Sequence, residues 1–278
     1  MLQFGSFSSA TVALVIGALI AWRVPHWLLR DAPTGQRTSC AGLVFDAALV
    51  GLVAARIGFV LRWWPDYLAA PLSLLAIGDG GFAPWLGLPV AIGFALWRTH
   101  AHSRRVLRRP LLLALAAGCC GWLTALGAFA LLAGPPPALP DLALTTLDGA
   151  PASPMAQHGR PVVMNLWATW CPPCRREMPA LTRVAASHPE VAFLLVNQGE
   201  DAAPVRDYLA REQIDSRHVL LDPQQRAMHA TGARGLPTTL FFDANGRLVD
   251  SHVGELSAAR IHSILRRHFG LTVTRSAQ

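Results

Sequence analysis

Lysine is absent from this 278-residue chain, and all 24 basic residues are arginine. We read that as a coding bias without functional meaning. Acidic residues are scarce in the first half: residues 1–134 hold ten Arg against four Asp, whereas residues 135–278 hold fourteen Arg against thirteen acidic residues. Of the net charge of +7, +6 therefore belongs to the first half, where the apolar residues also concentrate. A hydrophobic content of 52% with a positive mean hydropathy is too apolar for one ordinary soluble protein. Arginine set around apolar runs is accounted for by membrane topology and not by nucleic-acid binding. Cysteine is limited to Cys40, Cys119, Cys120, Cys171 and Cys174. The second half holds no other Cys pair and no His pair at finger-like spacing, which leaves Cys171 and Cys174 short of the four ligands that zinc wants. Histidines 158, 188, 218, 229, 252, 262 and 268 are scattered, without metal-ligand or catalytic spacing to the cysteines. No metal is expected. The N-terminus lacks a basic n-region and a clear small-x-small cleavage site, which favours a retained helix over a cleaved signal peptide.

What is present is organised around Trp170-Cys171-Pro172-Pro173-Cys174, within the run VVMNLWATWCPPCRREMPAL. A strand-like apolar run, residues 162–167, leads into the C-x-x-C, and a helix-forming run, residues 175–187, follows at once. That order predicts Cys171 at a helix N-terminus and Cys174 in the first turn. There, unpaired backbone N–H groups and the helix dipole favour the Cys171 thiolate. A free thiol has a pKa of about 8.5, and C-x-x-C motifs so placed fall to roughly 3.5–7.5. The chemistry this predicts is thiol–disulfide exchange, in which Cys171 attacks and Cys174 resolves. A structural disulfide or half a zinc site is the blander reading.

The run NLWATWCPPCRREMPAL, together with RGLPTTLFFDANGRLV at residues 234–249, resembles the TlpA/ResA/CcmG group of membrane-tethered thioredoxin-like thiol–disulfide oxidoreductases, over about residues 139–269. The resemblance implies a redox-active Cys171–Cys174 disulfide as the only cofactor. It places Glu177, three residues after Cys174, as an aid to proton transfer, and puts Asn165 where thioredoxin has a buried Asp. It also implies a cis Pro237 facing the disulfide, with the Leu236 backbone offered to an extended substrate strand. Trp170, Pro172 and Pro173 complete the expected surround, Trp170 covering one side of the pair. Pro179 is expected to kink the active-site helix.

Before this domain, apolar runs at residues 7–24, 42–61, 82–97 and 111–133 predict about four transmembrane helices, given the roughly 20 residues a bilayer requires. Arg23, Arg30 and Arg37 mark the first connector and Arg98, Arg104, Arg105, Arg108 and Arg109 the third, whereas the second has only Arg62. The positive-inside rule then puts the first and third connectors in the cytoplasm and everything after Gly134 outside. Outside is where a dithiol meets protein disulfides. Asp46 and Arg56 lie within the second span on different faces. Asp46 is expected near the interface, and Arg56 is expected to snorkel outward. Cys119 and Cys120 are read as packing residues and not as an electron relay. The stretch AARIGFVLRWWPDYLAAPLSLLAIGDGG, residues 54–81, is similar to a segment of prolipoprotein diacylglyceryl transferase. Trp85 stands where that family's important His is expected, so a truncated relative kept as an anchor is the better reading than an acyltransferase.

The expectation is thus an all-α multi-span membrane domain (1–133), a proline-rich linker (134–140), an α/β thioredoxin-like domain with a central mixed sheet flanked by helices (141–270), and a frayed tail (271–278). The predicted setting is the bacterial inner membrane, with the second domain in the periplasm. Its partners would be the bilayer, periplasmic protein disulfides and a membrane thiol transporter as electron donor. Reduction, as in apocytochrome c maturation, is the direction the resemblance implies. A disulfide oxidase or isomerase, or an acyltransferase-like membrane protein recruiting partners through this domain, remains the alternative.

Overall fold

The structure is a computed structural model that describes residues 3–4, 7–100, 105–132 and 134–271. Arg104 and the tail residues 272–278, where fraying is expected, lie outside the described residues. The chain divides into two compact units, one of residues 1–64 and 81–134, the other of residues 65–80 and 135–278.

The first unit opens with the short strands β1 (Gln3–Phe4) and β2 (Phe7–Ser8), which pair antiparallel. Its helices are α1 (Ser9–Leu28), α2 (Thr34–Arg62), α4 (Pro84–Arg98) and α5 (Arg105–Leu132). Each extends beyond, or falls short of, the apolar run that marked it. Hydropathy reports where lipid-compatible side chains begin, whereas the helix begins where the backbone can first close its bonds; α2 thus starts at Thr34 and not at residue 42. By length and composition, α2 and α5 are the two described helices long and apolar enough to cross a membrane. Two glycine pairs let helices approach. A Cβ at Gly17 of α1 would sit 2.7 Å from the Gly118 carbonyl oxygen of α5, and one at Gly87 of α4 would sit 2.6 Å from the Gly51 carbonyl oxygen of α2. Small residues at such crossings are the way apolar helices pack closely without a hydrophobic driving force between them. Arg56 does not snorkel outward. Its Nη1 donates to the Gly81 carbonyl at 2.8 Å and its guanidinium lies over the Phe82 ring. A cation among apolar helices takes the nearest acceptor.

The second unit contains a seven-stranded mixed sheet. In chain order its elements are α3 (Trp64–Ala69), β3 (Leu144–Thr146), β4 (Pro151–Ala152), β5 (Val162–Trp167), α6 (Pro172–Ser187), β6 (Ala192–Gln198), α7 (Ala202–Glu212), β7 (Val219–Asp222), α8 (Arg226–Thr231), β8 (Thr238–Phe242), β9 (Leu248–Val253) and α9 (Ala258–Phe269). The strand order is β4-β3-β7-β6-β5-β8-β9. The centre is β7-β6-β5, in parallel, and β8 and β9 add on one side antiparallel. Every residue of β5 is buried, as a strand covered on both faces must be. Its period of two divides the side chains. Val163 and Trp167 join the core under α6 and α9, while Val162, Met164 and Leu166 join the core on the opposite face. Asn165 therefore falls on the α6 face.

The spacer expected over residues 134–140 ends early. Ala138 bridges Arg247, Leu139 donates its N–H to the Gly246 carbonyl at 2.7 Å, and the Leu139 side chain is buried in the second core. The burial of one leucine outweighs the spacer character of the prolines around it.

Candidate active site

The C-x-x-C sits where β5 hands over to α6. Cys171 is the N-cap of α6, in an extended conformation (φ −91°, ψ 107°), and its Sγ accepts the Cys174 N–H at 3.3 Å. Pro172 and Pro173 occupy the first helical positions, where a missing N–H costs nothing because that donor has no intrahelical partner. Cys171 and Cys174 form a disulfide with their Cα atoms 5.3 Å apart. Cys174 is fully buried and Cys171 nearly so, whereas Trp170 beside them is 67% exposed. Access to the pair is thus by Cys171, with the Trp170 ring standing in solvent next to it.

Glu177 follows one turn after Cys174 and faces inward with it. Its Oε1 accepts the Asn165 Nδ2 at 2.7 Å, and its Oε2 accepts the Leu256 N–H at 2.9 Å. Asn165 also donates to Thr239 Oγ1 at 2.9 Å, which ties β5 to β8 behind the carboxyl. Burial pushes the Glu177 carboxyl from its ordinary 4.5 to about 8. The Leu256 and Asn165 donors pull the other way, and the Glu255 charge adds to the rise. A carboxyl so placed exchanges its proton near neutral pH, where a thiol does.

The Leu236–Pro237 peptide is cis, the isomer that the resemblance implied. Pro237 is buried, and its carbonyl accepts the Gly254 N–H at 2.9 Å. Thr238 Oγ1 donates to the Gly235 carbonyl at 2.6 Å, which fixes the loop that leads into β8. Leu236 packs against both cores and stays partly accessible.

Sequence reasoning missed Glu200. Its carboxylate accepts the Thr169 N–H at 2.7 Å, the Thr169 hydroxyl, and the Asn197 amide at 2.7 Å. Glu200 thereby anchors the residue two before Cys171 to the end of β6. The sequence shows Asn197 and Glu200 only as polar residues closing a buried strand, and the pairing of β6 with β5 is what brings them to the motif. The histidines are also more organised than their scatter in the sequence suggests. His188 lies edge-on to His262, whose Nδ1 bonds Asp66 at 3.0 Å. Among the described residues no group of three or more His, Cys, Asp or Glu side chains is placed to hold a metal. Outside this unit, Cys40 is buried, whereas Cys119 and Cys120 are exposed on α5.

Residues 135–265 match the Redoxin family, and residues 3–127 match the Prolipoprotein diacylglyceryl transferase family. The thiol-disulfide oxidoreductase ResA of Geobacillus thermodenitrificans is 33% identical over 111 residues, which are 39% of this chain and 63% of that protein. ResA of Geobacillus kaustophilus is 32% identical over 120 residues, 42% of this chain and 68% of that protein. A solved thiol:disulfide interchange protein of the thioredoxin family from Chlorobium tepidum is similar with a TM-score of 0.43 and 29% identity, covering 49% of this chain and 97% of that one.

Proposed function

Because this chain belongs to the Redoxin family through residues 135–265, we propose that it is a membrane-held thiol–disulfide oxidoreductase that reduces protein disulfides outside the cytoplasm. The observation that carries this reading is a disulfide at the N-cap of α6 with a buried Glu177 one turn further on.

In the reduced protein the Cys171 thiolate attacks one sulfur of a substrate disulfide. A mixed disulfide forms and the first substrate thiolate leaves. The Glu177 carboxylate takes the Cys174 proton, and the Cys174 thiolate attacks the Cys171 Sγ. That closes the Cys171–Cys174 disulfide and releases the second substrate thiolate. Two electrons pass from the protein dithiol to the substrate, and the oxidised state is the one seen here. A second dithiol must then return the electrons, and a membrane thiol transporter is the class we assign to that step. Leu236 and cis-Pro237 form the edge along which an extended substrate segment lies. Trp170, Pro172 and Pro173 form the other side, and Asn165 holds Glu177.

The four apolar helices are proposed as spans that place both the N-terminus and residues 135–278 on the periplasmic side of a bacterial inner membrane, with apocytochrome c maturation the favoured setting. The similarity of residues 3–127 to the acyltransferase family is read as ancestry of an anchor, because Trp85 occupies the position of the expected His.

Two measurements on the full chain test this. A Cys174→Ser variant accumulates mixed disulfides through Cys171; if nothing is trapped covalently, the domain is a recruitment module and not an enzyme. Equilibration with glutathione, with Cys40, Cys119 and Cys120 replaced by Ala, gives the potential. A value above about −150 mV overturns the reductive direction.

A further inference from the structure

Residues 65–80 connect α2 to α4 in sequence, yet they belong to the same compact unit as residues 135–278. They fold as the end of α3 and two short 3-10 turns, Pro71–Leu75 and Ile77–Asp79, before Gly80 reverses the chain at φ +70°. Two carboxylates of this segment face α9. Asp66 meets His262. Asp79 is fully buried and accepts the Ser257 hydroxyl at 2.6 Å.

A buried carboxylate is costly unless its bonds are worth the desolvation, so its partner indicates what it holds. Ser257 is the N-cap of α9, and its Oγ accepts the Arg260 N–H at 3.2 Å. The residue before it is Leu256, also buried, whose N–H is the donor to Glu177 Oε2. Two consecutive residues are therefore held, Leu256 by Glu177 through its backbone N–H and Ser257 by Asp79 through its hydroxyl.

We propose that Asp79 is a positioning residue for thiol–disulfide exchange: by holding Ser257 it keeps the Leu256 N–H on Glu177, and so governs how readily Glu177 gives up its proton. The proposal rests on the reading of Glu177 as the proton carrier for Cys174. Residues 65–80 are then more than a connector, since they supply a group on which the redox site depends.

The sign of the effect separates positioning from mere charge. Loss of the Leu256 donor disfavours the Glu177 carboxylate and raises its proton affinity, whereas loss of the Asp79 negative charge alone lowers it. The other groups facing Glu177 are Glu255 from the turn before α9, Asn165 from β5, and Thr239 from β8 by way of Asn165, while Cys174 lies one turn before it on α6. Asp79 is faced by Arg260 of α9 and His252 of β9, and Arg260 is faced in turn by Asp250 and Arg267. Burial and Arg260 hold His252 below its usual range.

The test uses the reduced full chain in a Cys40→Ala, Cys119→Ala, Cys120→Ala background, reacted with an aromatic disulfide whose thiolate is coloured. The first phase reports attack by Cys171 and the second reports closure by Cys174. The pH midpoint of the second phase is read alongside the infrared carboxyl band of protonated Glu177. Asp79→Ala moves both midpoints upward by about one pH unit, the size expected for weakening one charge-assisted hydrogen bond. Asp79→Asn retains an acceptor for Ser257 and restores the midpoint to within about 0.3 unit. If Asp79→Ala does not fold, Ser257→Ala, which removes the same link from the other end, takes its place with the same upward shift. A midpoint that stays or falls in the Ala variant overturns the proposal while leaving Glu177 in its role. If Glu177→Gln fails to abolish the midpoint, the reading of Glu177 fails and the proposal falls with it.

Discussion

Replacement of Glu177 by Gln gives the second unit a different dependence of stability on pH, and the size can be worked out from the site. Folding raises the Glu177 pKa from 4.5 to about 8. Between those values the folded chain holds a proton that the unfolded chain has released. The stability that proton contributes is fully present below pH 4.5 and is lost as pH rises towards 8, at about 1.4 kcal/mol per pH unit. From pH 6 to pH 8 the wild-type protein loses on the order of 2 kcal/mol through this group. Gln cannot ionise and keeps the shape, so the variant loses none of it. His218 and His252 act in the opposite sense. Burial lowers both, and the stability lost on protonating them returns as pH rises through the ordinary His range. Both chains carry these histidines, so the difference between wild type and variant isolates Glu177. Pulse proteolysis of the full chain in detergent, across urea and at each pH, follows the unfolding of residues 135–278. The Gln variant gains about 2 kcal/mol relative to wild type between pH 6 and 8. A difference that is flat with pH would refute the claim that Glu177 is buried with its proton.

Glu200→Ala removes two hydrogen bonds from Thr169 and one from Asn197 and destabilises the unit by roughly 2–4 kcal/mol; it also slows the first phase of disulfide exchange, whereas an unchanged first phase would show that Thr169 needs no anchor. Gly118→Leu forces a side chain into Gly17 and Ala21 and lowers the thermal midpoint of the first unit in detergent, with little change in the exchange rate of the reduced dithiol. Replacing Cys119 and Cys120 together by Ala leaves recycling of the oxidised protein in cells intact; a block at that step would make those thiols part of the electron path.

The parts of the site that can be read from sequence are those made by neighbours in the chain. Cys171 as N-cap, Cys174 in the first turn and the two prolines at positions that need no donor all follow from one strand–helix junction. Asn165 was singled out by the resemblance, and the alternation of β5 puts it on the α6 face. The cis peptide before Pro237 is a different matter. No local rule selects it, and only the resemblance of RGLPTT to a known group brought it forward. Glu200 and Leu256 were missed because their contributions come from strand pairing and a helix start distant in sequence. Leu256 acts through its backbone N–H, which no side-chain pattern can report. The boundary at residues 134–140 was misplaced for a related reason. Proline density marks a stiff spacer, but whether Leu139 finds a core to enter is decided by the Asp243–Arg247 turn.

The same division separates the two half-reactions. The groups that favour the Cys171 thiolate, the N–H of Cys174 and the start of α6, come from adjacent residues and persist wherever this helix forms. In the proposed mechanism, closure by Cys174 depends instead on Glu177 having released its proton. That proton's affinity is set jointly by β5 through Asn165, by β8 through Thr239, by the turn before α9 through Leu256 and Glu255, and by Asp79 behind Ser257. One unit of pKa is about 1.4 kcal/mol, which for a two-electron couple is about 30 mV. In the proposed mechanism, displacing a single one of those donors therefore shifts the pH at which the resolving step runs. The Cys-Pro-Pro-Cys motif by itself is compatible with more than one redox direction.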